Sequence, residues 1–137
     1  MPRTAFNPSL VRVNVATVYL PSHSSPARNQ YTFAYTITIN NGATLPVQLL
    51  SRHWIITDAN NETQEVRGEG VVGKQPVIQP QAFFRYTSGA TLTTPIGYME
   101  GNYTMVVRED MEIDPDDLPA FEVTVGAFSL HTPTVLN

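Results

Sequence analysis

A chain of 137 residues suits one domain, large enough to bury roughly two-thirds of its unfolded surface around a single core. Charged residues make up only 15%, against about 25% in an average globular chain, and the arginines are scattered, so no basic stripe predicts nucleic-acid binding by phosphate neutralisation. Cysteine is absent, which removes any disulfide framework, and no run approaches the roughly 18 apolar residues of a membrane span; the chain reads as cytoplasmic, with no membrane partner.

The net charge of −4 is unevenly distributed. Six of the 12 acidic residues fall within Glu109–Asp117, so the rest of the chain is nearly neutral. The 16 threonines and 11 prolines favour strands and turns over helices.

In chain order, residues 1–10 read as a flexible N-terminal segment and 11–137 as one domain. Residues 11–20 alternate as a half-buried strand, with Val11, Val13 and Val15 on one side. Residues 31–39 alternate most cleanly, with Tyr31, Phe33, Tyr35, Ile37 and Ile39 opposite Thr32, Ala34, Thr36 and Thr38. Asn40, Asn41 and Gly42 then turn the chain. In 47–57 the apolar phase changes partway, which a twist or bulge near Ser51 and Arg52 reconciles, and 47–67 reads as a hairpin.

Residues 98–107 alternate with Gly101 on the apolar face, where a missing side chain marks a bulge or a close backbone approach. Residues 121–125 alternate again, and the tail from Gly126 adds one short strand. Seven to eight strands at turn-bounded intervals, with no helical period, predict an all-β antiparallel β-sandwich or barrel.

The most distinctive stretch is 68–89, which opens with glycines at 68, 70 and 73. That spacing cradles a pyrophosphate when it follows a strand and opens a helix. Here Pro76 and Pro80 bar a helix, so the segment is an irregular loop, then a proline-bracketed crossing segment, then an aromatic strand, with Tyr86–Thr87–Ser88–Gly89 as a closing turn. Two readings of the loop stand side by side. Gly68, Gly70 and Gly73 permit positive φ in a bulged hairpin exit, or their N–H groups form an anion nest helped by Arg67 and Lys74.

Catalytic constellations are not apparent. No nucleophile elbow occurs, and His23, His53 and His131 form no ligand pair for zinc, so no catalytic residue, metal site or cofactor is expected. Asp110, Glu112, Asp114 and Asp116 alternate as a hard-cation site would, but Pro115 occupies the place an EF-hand reserves for glycine, and a solvated connection is expected.

Together these residues resemble the ApaG family. The stretches that carry the resemblance are SSP at 24–26, YTFAYTITI at 31–39, PVQLLSRHWIIT at 46–57, EVRGEGVVGKQPVIQP at 65–80, YTSG at 86–89, TPIGYMEGNYTM at 94–105 and LPAF at 118–121, within roughly residues 11–123. The resemblance implies a fibronectin type III/immunoglobulin-like sandwich and no established catalytic residues. It also implies a link to divalent-cation (Co²⁺/Mg²⁺) efflux or resistance, and a use as an interaction module, as in an F-box ubiquitin-ligase subunit and a DNA-polymerase-δ-interacting protein. The family's glycine loop, conjectured to hold pyrophosphate, maps to Gly68, Gly70 and Gly73. The chain departs from the pattern at Gln81, where the family often has glycine after proline, and at the acidic 109–117 turn, which is usually shorter.

The expected function is therefore a non-enzymatic interaction module for a protein partner of unknown identity, with candidate contacts at Arg67, Gly68, Gly70, Gly73 and Lys74. The alternative is nucleotide or pyrophosphate binding through 68–73, and a homo-oligomer is left open. Because a protein without a membrane span forms no ion conduit, any cation phenotype is indirect.

Overall fold

The computed structural model describes residues 6–133. Eight strands, β1 (Val11–Tyr19), β2 (Tyr31–Asn41), β3 (Val47–Asp58), β4 (Thr63–Glu69), β5 (Val77–Ile78), β6 (Phe83–Leu92), β7 (Ile96–Val107) and β8 (Ala120–His131), form two antiparallel sheets. One sheet has the order β1-β2-β6; the other runs β4-β3-β7-β8, with β5 beside β3. Among the described residues there is no α-helix, only four single turns of 3-10 helix, each starting on a proline (Pro8, Pro21, Pro26, Pro115), where the missing N–H costs nothing and the ring fixes φ.

The alternation of β2 sends Phe33, Tyr35, Ile37 and Ile39 into the core, while Thr32 and Thr36 of its other face meet Thr91 and Thr87 of β6 in hydroxyl pairs. Trp54 of β3 fills the centre, its ring edge-on to Tyr35 (5.9 Å), Tyr103 (5.7 Å) and Phe128 (5.8 Å). Such contacts add to the burial of an indole that is only 1% exposed.

Both expected irregularities are present. The β3–β7 register shifts between Leu49 and Ser51, so Leu49 and Trp54 both point inward despite an odd separation. Gly101 lies across from Trp54, and a Cβ there would sit 2.7 Å from Trp54 Cε3 and collide with the His53 carbonyl. Only glycine lets β7 pass this close to the indole. Beside it the β7–β8 register also shifts, with Gly126 and Ala127 opposing Glu100 alone.

Three sequence expectations need comment. Tyr86–Gly89 is not a turn but the middle of β6, because Tyr86 and Ala90 reach the core, Thr87 pairs with Thr36, and Gly89 has no positive φ. The chain from 120 to 131 is one long strand that absorbs Gly126 at its bulge; residues 134–137 of the expected tail strand lie outside the described residues. Of the segment expected to be flexible, residues 1–5 also lie outside them, whereas Pro8–Leu10 form a 3-10 turn and Phe6 packs against Phe121 at 4.9 Å.

Candidate functional site

The 70–78 connector is stitched to the edge of β3. Gly70 N–H donates to the Leu50 carbonyl (2.7 Å), Gln75 Nε2 donates to the same oxygen (2.9 Å), Leu49 N–H donates to the Pro76 carbonyl (3.1 Å) and Gln48 Nε2 to that of Gln75 (3.0 Å). Val71, 1% exposed, is plugged into the core.

Between these anchors lies a two-residue hairpin. Val71 and Lys74 exchange N–H···O bonds of 2.8 and 2.9 Å around Val72 (φ 45°) and Gly73 (φ 78°), a pair of positive φ values that defines a type I′ turn. Gly70 (φ 64°) precedes it, and a Cβ at that position would collide with the Lys74 carbonyl. Val72 is the anomaly. A β-branched residue in left-handed geometry is a genuine outlier, and this one stands 54% exposed at the loop tip.

The donors expected to form a nest are therefore committed in part. The amides of Gly70, Val71 and Lys74 bond to carbonyls, leaving Val72 and Gly73 as the turn amides with no acceptor among the described residues. Lys74 belongs to the hairpin; Arg67 does not face it. Arg67 projects from the outer face of the five-stranded sheet and donates to Glu65 Oε1 (2.9 Å). The arginine at the loop is Arg52, whose Nη1 donates to the carbonyls of Glu69 (3.2 Å) and Gly70 (2.8 Å) and whose guanidinium occupies the space a Cβ at Gly68 would need. Gly68 is thus explained by close approach, and its strand neighbour Arg52 was the residue the sequence did not single out. Only the β3 bulge, which brings Arg52 into the inward phase, relates the two.

On the outer face, register sets His53 beside Arg67 and Asn102. His53 Nε2 lies 2.5 Å from Glu65 Oε1, and this bond, then Arg67, holds the Glu65 carboxyl below the ordinary glutamate value. A shallow cleft of about 420 Å³ is lined by Ser51, His53, Arg67, Asn102, Thr104 and Glu122. Ser51, His53 and Glu65 share this face, and among the described residues no hydrogen bond joins the Ser51 hydroxyl to the imidazole. Nor do three or more His, Asp or Glu converge for a metal among the described residues. The acidic turn is organised around Arg108, which is 4% exposed and donates to the carbonyls of Ile113 (2.7 Å) and Met111 (2.9 Å).

Gln81 takes left-handed geometry (φ 63°) at the third position of the Gln79–Ala82 turn, the place where a type II turn calls for glycine. Its Nε2 donates to the carbonyls of Gly42 (3.2 Å) and Ala43 (3.3 Å). Glutamine therefore occupies a left-handed turn position that glycine favours.

Fold and loop together define a small fibronectin type III-like β-sandwich whose most elaborated connection is a glycine-rich hairpin. The ApaG domain family model matches residues 21–107, and the chain belongs to that family. It is 48% identical over 130 residues to Protein ApaG of Methylococcus capsulatus, covering 95% of this chain and 97% of that protein. With Protein ApaG of Dechloromonas aromatica it shares 49% over 127 residues, 93% of this chain and 94% of that one. The crystal structure of the protein called ApaA from Bordetella pertussis is similar with a TM-score of 0.82 at 45% identity, over 91% of this chain and 95% of that chain.

Proposed function

We propose that the protein is a non-enzymatic interaction module that offers the 68–80 connector to a protein partner. The observation that carries this reading is Val72, an apolar side chain held out to solvent at the tip of a rigid hairpin in a conformation that valine resists. Strain of this kind persists where surrounding structure enforces it and clusters at ligand contacts. The connector is enforced from three sides, by the β3 edge, by Arg52 and by buried Val71, so it meets a partner with little ordering cost. A link to cation homeostasis then runs through the partner.

The test is a photo-crosslinking residue at position 72, with one at Glu100, within β7 of the same sheet, as control. A discrete adduct at 72 that disappears in Gly70→Val supports the reading; adducts no stronger than the control's overturn it.

A second reading, anion binding, is favoured by the two amides of Val72 and Gly73 beside Lys74. NMR titration with pyrophosphate, ATP and GTP tests it. Shifts confined to those amides support it, and their absence at about millimolar ligand, where binding is worth only about 4 kcal/mol, removes it.

A further inference from the structure

The acidic residues are confined to one side of the sandwich. All 12 fall within 58–69 and 100–122, which belong to the five-stranded sheet and its connections. The three-stranded sheet has no acid, and its two cations are Arg12 of β1 and Arg85 of β6. They are far apart in the chain, yet both point outward, because their neighbours Val11 and Tyr86 are buried in the core and the pleat alternates.

Register sets this outer face in rows. Arg12, Asn40 and Phe83 lie side by side across the three strands, and Asn14, Thr38 and Arg85 form the next outward row. With strands about 4.8 Å apart and residues about 3.4 Å apart along each, the Cα atoms of the two arginines stand roughly 12 Å from one another. Arg85 is held in place. Its Nε donates to Thr38 Oγ1 (2.9 Å), and its guanidinium lies 5.0 Å from the centre of the Phe83 ring, which is 57% exposed. Among the described residues neither arginine has an acidic partner. Farther along, the row of Val18, Ala34 and Gly89 is low, and Val18 stands exposed beside it.

A guanidinium fixed in this way takes a carboxylate through two parallel hydrogen bonds. Two guanidinium groups roughly 12 Å apart match carboxylates about four residues apart, which point the same way along an extended segment. Phe83, in contact with one of them, gives an apolar side chain of that segment a place to lie. Polyphosphate chemistry fits poorly, since it calls for a row of cations and the rest of the chain is acidic.

We propose that the outer face of the three-stranded sheet docks an acidic, extended segment of a partner protein, whose carboxylates meet Arg12 and Arg85 while an apolar residue packs on Phe83. The face belongs to the sheet that does not carry the glycine hairpin, so this contact stands or falls apart from the function proposed above.

The test is NMR and fluorescence-polarisation titration with a short peptide that alternates glutamate and valine. Its glutamine–valine counterpart and an oligothymidylate of matching length serve as comparisons. The glutamate peptide moves amides of β1, β2 and β6 but not those of β7, and its affinity falls as salt is raised. Arg12→Gln and Arg85→Gln each weaken it about tenfold and Phe83→Ala several-fold, with the unfolding midpoint near that of the parent in all three. Arg85→Glu abolishes binding of the glutamate peptide and gains binding of a lysine–valine peptide, which a merely destabilised face would not do. No shift on the three-stranded sheet at about 1 mM glutamate peptide overturns the proposal. So does equal binding of the glutamine peptide, tighter binding of the oligothymidylate, or a response to Arg85→Glu seen only as lost self-association in sedimentation.

Discussion

Replacing Val72 isolates the strain stored in the glycine hairpin. Left-handed geometry costs an L-residue about 1–2 kcal/mol, and more when the side chain is β-branched. Asparagine tolerates it, and Val72→Asn gives the turn the Asn-Gly dipeptide that type I′ hairpins prefer. Against this gain stands lost contact. At 54% exposure Val72 keeps less than half its surface covered, worth at most about 1 kcal/mol.

The expected net effect is a stabilisation of about 1 kcal/mol, or roughly 3–4 °C in Tm for a chain of this size. Val72→Ala is the informative companion, since alanine retains most of the left-handed penalty and loses the contact, so it lowers stability by about 0.5–1 kcal/mol. Urea and thermal unfolding followed by circular dichroism should rank asparagine above valine above alanine at unchanged m value. An alanine variant as stable as the asparagine one, or a neutral Val72→Asn, would refute the assignment of strain. If the function proposed for the loop is right, Val72→Asn weakens the position-72 contact as it strengthens the fold.

Other outcomes follow from the interior. Gly101→Ala drives a methyl into the His53 backbone and Trp54 and costs about 3 kcal/mol or more, whereas Gly126→Ala, with open space around it, changes the denaturation midpoint little. The Tyr86 and Tyr103 hydroxyls meet at 2.5 Å between the sheets, so either single change to Phe strands a buried hydroxyl at about 1–2 kcal/mol and the double change costs less than their sum. Burial raises the Tyr86 phenol to about 12, from 10.0, and pushes Tyr103 up further through burial and its neighbour Tyr86. Because the unfolded chain ionises first, stability is intact below pH 10 and falls as pH rises from there through 12 and beyond, which alkaline unfolding will show and the double Phe variant will blunt. At the acid end, NMR should place the Glu65 carboxyl midpoint below 4.5. The midpoint should move back toward that value in His53→Ala, and the contribution of the pair, present above 4.5, fades as pH falls through the lowered midpoint.

What could be read from the sequence was whatever a period of two determines. β2 and the two irregularities announced themselves because burial on one face forces alternation, and a broken phase or a glycine on the apolar side marks where the pleat is interrupted. The middle of β6 was misread because Tyr86–Gly89 combines turn-forming residue types with strand-forming ones, and only the partners across the sheet, Thr36 and Ala34, decide between them. Arg67 was legible as a cation next to the glycines but not as a residue facing Glu65 and His53, because facing depends on register. Arg52 was hidden for the same reason. Nothing in a string of letters marks Val72 as left-handed; that follows from the hydrogen-bonded closure of Val71 on Lys74.

The internal guanidinium of Arg108 changes how the long acidic connection should be regarded. A nine-residue connection bristling with carboxylates would ordinarily be an appendage, free to be shortened. Here the appendage and the body share one buried cation, whose Nη atoms are solvated by the connection's own main chain. Trimming it to a tight reverse turn therefore strands a positive charge inside the protein, and an engineer shortening this hairpin must exchange Arg108 for an apolar residue in the same step.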